Sequence, residues 1–340
     1  MSIWQEAQNR QEWNNFVSQT PGGSFLQSYE FGDFYSSLGK KVWRLACFDK
    51  ELSSVCLLVK QVTKFGNFLY CPGGPLLTDE EKIEELITKV TQIAKEENAN
   101  FVRFEPRIMS ENQKEKLLSL GLRRTKNFTQ PECTQILDLI QSFEVLRTNL
   151  SESTRHNIGW VERKGVRVVV SEEQEKLEIF EKLLSETSAR QKFQLHRETN
   201  YYTKQFESFV KQGMAKLYLA YEPAEEGNQV LAAAVVINFG KTTTYLHSAS
   251  SAKNPKLRAP YLMQWKIIED AKNSGYEKYD FWGVAATDKP SDPWSGVTIF
   301  KKSFGGEKVC YEPPYDLILN KRYYIDILLE KARLILRKWR

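Results

Sequence analysis

The sequence predicts a two-domain α/β protein of the α+β kind, whose sheets are mixed but mostly antiparallel. The chain has 340 residues, which exceeds the roughly 150 residues of one typical domain. The same succession of segments also occurs twice along it. Each copy contains three apolar runs separated by turn residues, an amphipathic helical pattern, and one further apolar run. This repetition predicts a three-stranded meander, a crossover helix and a returning strand in each domain.

In the first copy, the three strands are predicted at VWRLACFD, ELSSVCLLVKQ and GNFLYCPGGPLL, and the returning strand at FVRFEP. The helix between them is predicted because apolar residues recur at spacings of three and four. These apolar residues are Ile83, Leu86, Ile87, Val90 and Ile93.

In the second copy, the strands are predicted at AKLYLAYEP, QVLAAAVVINFG and TTTYLHSASS, the helix at APYLMQWKIIEDAKNSG, and the returning strand at YDFWGV. A meander followed by a crossover helix and a strand is the core of the GNAT acyltransferase unit. We therefore expect two tandem GNAT-like domains. The first covers 1–141 and is completed by 312–340, and the second covers 142–311.

The composition argues against a disulfide framework, a zinc site, a secreted protein and a membrane-spanning protein. A net charge of +5 is compatible with an anionic partner but does not require one. Five separated cysteines favour reduced thiols over a disulfide framework, and three scattered histidines argue against a zinc site. We expect no metal and no cofactor. The polar N-terminus lacks a secretory signal and no apolar run is long enough to span a membrane, so a cytoplasmic or peripheral protein is expected.

The segment 279–307 differs most from ordinary core sequence. It reads YDFWGVAATDKPSDPWSGVTIFKKSFGGE and combines tryptophan, proline and glycine with charged residues. It follows a core strand, and we expect it to lead into a further strand. A loop in this place often carries function, and a purely structural surface loop is the alternative.

This segment strongly resembles the Fem family of peptidyl aminoacyltransferases, as do SFLQSYEFGDFYSSLG, LYCPGGPLL, FVRFEPR and APYLMQW. The resemblance extends from about residue 24 to 317. It implies two GNAT-like domains, aminoacyl-tRNA as the donor, and the stem peptide of a UDP-linked or lipid-linked peptidoglycan precursor as the acceptor. The long helical arm of some members is missing, so the chain resembles the compact form, which implies a monomer.

The resemblance assigns the catalytic pair of the family to Phe300 and Lys301. A fixed ammonium would stabilise the negative charge that develops on oxygen when an amine attacks an ester carbonyl. A solvated strand lysine is the structural alternative.

The family's precursor-binding segment corresponds to SARQKFQLHRETNYY, which assigns substrate contacts to Arg197 and Tyr201. An arginine suits phosphate or carboxylate groups, and two residues four apart share one face if a helix begins here. A second precursor-contacting tyrosine of the family falls near His247. The lysine that contacts the diphosphate in many members has no clear counterpart here.

Glu105, at the end of the first returning strand, matches an acidic position of the family and could accept the proton of the attacking amine. Arg103, on the same strand, is a further candidate to contact the substrate. The structural alternative is a salt bridge between Glu105 and either Arg103 or Arg107.

Basic residues suggest two further contacts. Arg155, Arg163 and Lys164 could bind tRNA phosphates or form a solvated helix face. A C-terminal helix with seven Lys/Arg and two acidic residues over 321–340 could touch an anionic membrane or pack on its own domain.

Two other functions remain open at this point. An acyl-CoA-dependent GNAT N-acyltransferase would bind the CoA pyrophosphate on a glycine-rich turn at the central helix, but the turn at 253–262 has no glycine and contains Pro260. A non-catalytic protein that binds tRNA or the cell envelope could retain the fold without the chemistry.

Overall fold

The computed structural model describes residues 4–64, 66–191, 193–223, 229–290, 292 and 294–329. The chain divides into two compact units, one formed by Met1–Glu132 with Cys310–Arg340 and the other by Cys133–Val309.

The first unit combines a sheet with helices in the order that the meander prediction requires. Its elements are β1 (Trp4–Glu6), α1 (Arg10–Gln19), α2 (Tyr29–Ser37), β2 (Val42–Phe48), β3 (Leu52–Thr63), β4 (Gly66–Gly73), β5 (Leu76–Leu77), α3 (Lys82–Glu96), β6 (Phe101–Pro106), α4 (Glu111–Ser119), β7 (Arg123–Arg124) and β15 (Tyr315–Ile318). The strand order is β1-β2-β3-β4-β6-β15-β7, with β5 beside β3. Strands β2, β3 and β4 are antiparallel, and β6 returns parallel to β4 after α3. The predicted meander, helix and strand are therefore present.

Gln27 closes a gap in this sheet. Strand β3 pairs with β4 from Val59 onward and with β5 at Ser54 and Val55, so the backbone between these pairings needs another partner. The fully buried Gln27 accepts a hydrogen bond from the Leu57 amide at 3.0 Å and donates one to the Pro72 carbonyl at 2.6 Å.

The two glycines after Pro72 are required by the same close approach. A Cβ atom on Gly74 would lie 2.6 Å from the Gln27 side chain, and one on Gly73, whose φ is +63°, would lie 2.9 Å from Leu26 Cβ. The PGG sequence thus admits the segment that carries Gln27.

The second unit repeats the arrangement around a second sheet. Its elements are β8 (Cys133–Asp138), α5 (Phe143–Thr148), α6 (Glu152–Arg163), β9 (Arg167–Ser171), α7 (Leu177–Gln191), α8 (Tyr201–Val210), β10 (Ala215–Tyr221), β11 (Val230–Phe239), β12 (Thr242–Ser250), α9 (Ala259–Asn273), β13 (Lys278–Val284), α10 (Ser295–Lys302) and β14 (Glu307–Cys310). The strand order is β14-β8-β13-β12-β11-β10-β9. Strands β10, β11 and β12 form the antiparallel meander, and β13 returns parallel to β12 after α9.

Strand β8 sets where the two units divide. It pairs antiparallel with β13 and so belongs to the second sheet, although the expected division fell at 141/142. Residues from 310 onward return to the first unit, where β15 pairs with β6.

The cysteines differ from expectation at two positions. Cys133 and Cys310, at the ends of β8 and β14, are disulfide-bonded, whereas Cys47, Cys56 and Cys71 are free and buried. The expectation of reduced thiols throughout is therefore wrong at these two positions, which spacing along the sequence did not single out.

The C-terminal helix is described only over 323–329. Asp326 is buried and accepts hydrogen bonds from Thr63 and Asn100, each at 2.9 Å. Ile325 and Leu328, by contrast, are exposed. The helix packs on the first unit through Tyr323 and Ile327 as well as Asp326, and the rest of the expected basic helix, 330–340, lies outside the described residues. Within the described part of the chain, no helix is both long and apolar enough to cross a membrane.

Replacing Gln27 with leucine tests the account of the first sheet. Gln27→Leu leaves the buried Leu57 N–H and Pro72 C=O without their partner, and each such group costs about 1–3 kcal/mol. We expect a clearly lower free energy of unfolding in urea. The control is Gln92→Leu on the exposed face of α3, where the amide only bonds Glu96. Equal stability of the two variants would contradict the account.

Candidate active-site residues in the two units

The returning strand of the second unit is interrupted by a bulge. Its parallel pairing with β12 is confined to Lys278–Asp280, and its pairing with β8 shifts register between Asp280 and Gly283. Trp282, within the shift, has a φ of +62°, a value that few non-glycine residues adopt. The Asp280 side chain accepts a hydrogen bond from the Trp282 amide at 2.8 Å. The bulge therefore redirects the end of the strand.

Lys301 is bound to the backbone just after this bulge. It lies on α10, only 6% exposed, and its Nζ donates a hydrogen bond to the Gly283 carbonyl at 2.7 Å. Burial lowers the pKa of Lys301 to about 8, and the charge of Asp280 opposes that shift. Residues 295–302 form a helix, so the structural alternative of a solvated strand lysine is wrong, and the further strand expected after the segment is β14.

Phe300 fixes α10 against the core of the second unit. Its ring is 5.1 Å from that of Tyr261, in the first turn of α9, and 5.2 Å from that of Phe304. The Phe–Lys pair thus divides its tasks. Phe300 packs against apolar neighbours, and Lys301 contributes the charge.

Three side chains that sequence reasoning did not select hold the loop after β13. Thr298 accepts a hydrogen bond from the Ala285 amide at 2.8 Å, Lys308 donates to the Ala286 carbonyl at 2.6 Å, and Lys302 pairs with Asp288 at 2.9 Å. The signal available in the sequence was the density of polar residues in 279–307, which did not indicate the individual partners.

Tyr201 and His247 belong to one aromatic cluster. Tyr201 stacks on His196 with ring centroids 3.6 Å apart, and Tyr202 lies edge-on to His247 at 5.1 Å. His247 Nε2 is 2.6 Å from Gln205 Oε1. Burial, together with His196, lowers the pKa of His247 to about 3, so the ring is neutral at physiological pH and can bind through neutral hydrogen bonds.

Arg197 precedes the helix that carries Tyr201. Helix α8 begins at Tyr201, so Arg197 and Tyr201 do not share a helix face. Arg197 is exposed, and no side chain within the described ranges pairs with its guanidinium. It is therefore available to an anionic ligand.

The three basic residues proposed for tRNA differ in their surroundings. Arg155 donates hydrogen bonds to the carbonyls of Thr148 and Leu150, at 2.8 and 2.6 Å, and so caps the end of α5. Its guanidinium therefore has a structural task, and because the side chain is exposed its contact with tRNA remains a prediction. Arg163 and Lys164 are exposed, and their contact with tRNA remains a prediction.

In the first unit, Glu105 is a buried carboxylate held by hydrogen bonds. It accepts one from the Tyr70 hydroxyl at 2.5 Å and two at 2.9 Å from the backbone amides of Thr129 and Gln130. Burial raises the pKa of Glu105 to about 7, although these hydrogen bonds oppose the shift. A group with this pKa can exchange a proton near neutral pH.

Arg103 is engaged within the first unit. It is 1% exposed and forms a bidentate pair with Asp316, at 2.8 and 2.9 Å. Asp316 also accepts a hydrogen bond from Tyr323 at 3.0 Å. Because its guanidinium links β6 to β15, we correct the assignment of Arg103 from substrate contact to a structural role.

No cluster of His, Cys, Asp or Glu within the described ranges could hold a metal ion.

Comparison with known proteins identifies a matching family, a sequence relative and solved structures of similar fold. A sequence model of the FemAB family matches residues 9–120, 119–226 and 222–326. A protein named lipid II:glycine glycyltransferase from Staphylococcus aureus (strain MRSA252) is 24% identical, over 95% of this chain and 95% of its own length. The crystal structure of FemX has a TM-score of 0.85 at 20% identity, covering 96% of this chain and 99% of that one. A tandem GNAT protein from the clavulanic acid biosynthesis pathway has a TM-score of 0.57 at 9% identity, covering 94% and 98%. The two structures confirm the predicted fold class.

Glu105 predicts a specific dependence of stability on pH. Its carboxyl holds a proton more tightly in the folded chain than in the unfolded one, so its contribution to the free energy of unfolding falls as pH rises from about 4.5 to about 7. The loss is on the order of 3 kcal/mol. Glu105→Gln should remove it, whereas the exposed control Glu115→Gln should retain it. Urea unfolding between pH 4.5 and 8 measures the slope, and an unchanged slope in Glu105→Gln would refute the assignment.

Proposed function

This chain belongs to the FemAB family, and on that premise we propose that it transfers an aminoacyl group from aminoacyl-tRNA to the stem peptide of a peptidoglycan precursor. The observation that carries the proposal is Lys301. An ammonium has three protons, and a single one is committed to the Gly283 carbonyl. No other residue in the described part of the chain binds the remaining two, which leaves them for a ligand.

In the proposed reaction, the amine of the acceptor attacks the ester carbonyl of the charged tRNA. A C–N bond forms, the C–O bond to the ribose breaks, and the amine proton is taken up by a general base that returns it to the ribose oxygen. Lys301 donates to the carbonyl oxygen while it carries negative charge in the tetrahedral intermediate. A donor fixed by burial before the reaction stabilises that charge without reorganisation.

The acceptor is proposed from the relatives and from the binding residues. Relatives named lipid II:glycine glycyltransferase favour a lipid-linked precursor, and a UDP-linked precursor carrying the same peptide is the alternative. Arg197 suits the carboxylate or phosphate groups of either acceptor. Tyr201 and His247 are proposed to offer aromatic and neutral polar contacts to the same acceptor.

Glu105 is proposed as the group that accepts the amine proton, because its pKa of about 7 suits a general base near neutral pH. Arg163 and Lys164 are proposed to contact tRNA phosphates. A charged tRNA donor implies a cytoplasmic protein that works at the inner face of the membrane when its acceptor is lipid-linked, and the resemblance to the compact form of the family implies a monomer.

An acyl-CoA donor is disfavoured by the start of α9. Pro260 occupies the first turn, and Arg258 precedes it in the left-handed region. Proline supplies no N–H to a pyrophosphate, so fewer backbone donors are available than in a CoA-binding turn.

The test is transfer of labelled amino acid from charged tRNA to a lipid-linked pentapeptide precursor, with labelled acetyl-CoA in parallel. Lys301→Ala should lower kcat by about 10²–10³-fold, the usual cost of removing one donor to an oxyanion, with little change in acceptor affinity. Lys302→Ala is the matched control, since that neighbour pairs with Asp288 in solvent. Equal kcat values for the two variants would refute the role of Lys301. Transfer from acetyl-CoA alone, or from neither donor, would favour the N-acyltransferase or the non-catalytic binding protein, respectively.

A further inference from the structure

A buried carboxylate lies at the origin of the β13 bulge. Asp280 is 1% exposed. The Thr134 hydroxyl, on β8, donates a hydrogen bond to Asp280 Oδ1, and the Trp282 amide donates to the same atom at 2.8 Å. Removing a carboxylate from water is costly, so the position is expected to have a specific task.

The bulge determines where the Gly283 carbonyl points. Trp282 has a φ of +62°, and a non-glycine residue keeps such a backbone only when its surroundings hold it there. The hydrogen bond from its amide to Asp280 supplies that hold. The next residue along the chain is Gly283, whose carbonyl binds Lys301 Nζ.

We propose that Asp280 is the positioning residue for Lys301, which it holds in place by fixing the Gly283 carbonyl through the bulge. The catalytic meaning of this assignment rests on the proposed function, whereas its structural content does not. In this role Asp280 acts through Lys301 and needs no contact with substrate.

The charges around Lys301 single out Asp280. Its charge raises the pKa of Lys301, against the lowering by burial. On α10 itself, Lys302 pairs with Asp288. From β14, Lys308 binds the Ala286 carbonyl. Replacing Asp280 should therefore move the titration of Lys301 to lower pH.

The direct test is an NMR titration of lysine ammonium groups in the full-length chain labelled with ¹⁵N-lysine, with Lys301→Arg used to assign the signal. Asp280→Asn removes the charge and keeps the size, and it should move the Lys301 titration below its wild-type midpoint. Asp288→Asn is the matched control, because it removes a carboxylate from the same segment at an exposed position. It should leave the midpoint in place. A wild-type midpoint in folded Asp280→Asn would overturn the proposal.

The kinetic arm tests positioning. In the tRNA transfer assay, Asp280→Asn should lower kcat by up to about 10²-fold, the cost of a misplaced catalytic group, and should leave the KM for the acceptor unchanged. Its rate should also decline at a lower pH than the wild-type rate, because the ammonium is lost earlier. An increase in KM with unchanged kcat would contradict positioning.

Thr134→Val keeps the proposal falsifiable if Asp280→Asn does not fold. It preserves the charge and removes the Thr134 hydrogen bond that helps to orient it, so kcat should fall several-fold with KM unchanged, and a wild-type kcat would overturn the proposal. The titration separates this inference from the proposed function. If the wild-type chain transfers nothing from tRNA but its Lys301 titration responds to Asp280→Asn, the positioning holds and the proposed function fails.

Discussion

The hydrogen bond between the Lys301 ammonium and the Gly283 carbonyl is the interaction on which the proposed chemistry of the second unit depends. It requires a bulge in β13 to present the carbonyl and a short helix, α10, to bring the lysine to it. Phe300 anchors that helix through apolar contacts. Burial lowers the pKa of Lys301 and so disfavours its charged form, and Asp280 opposes this shift. The result is an ammonium group that is fixed in position by one hydrogen bond and has two further N–H donors.

The two units use the same succession of strands and helix for different ends. In the first, β4 and β6 stay paired from Leu69–Val102 to Gly73–Pro106, and Gln27 closes the adjacent gap. In the second, the parallel pairing stops at Thr244 and Asp280, and the strand then turns toward Lys301. In the first unit, the neutral side-chain amide of Gln27 bonds the backbone beside the meander. In the second unit, the returning strand leads to the buried charge of Lys301. The repeated fold therefore does not imply repeated chemistry.

Sequence reasoning identified the meanders, the crossover helices and the family, because periodicity and motifs are local properties of the chain. The family assignment from these motifs is confirmed by the match of the FemAB model to most of the chain. The alternative of a strand lysine at 301 failed because the short apolar run VTIF before it fits either element and belongs to a helix. Long-range partners could not be predicted. The pairing of Arg103 with Asp316 and the contact of Asp280 with Thr134 depend on which strands become neighbours.

The central claim is that Lys301 stabilises the oxygen of the tetrahedral intermediate. The most direct measurement is a crystal structure of the protein with a phosphonate analogue of that intermediate, attached to the 3′-terminal adenosine of tRNA. The account predicts a phosphonate oxygen within hydrogen-bond distance of Lys301 Nζ, with the Gly283 bond retained. A well-ordered analogue whose oxygens contact other donors, with Lys301 bound to Gly283 alone, would contradict it.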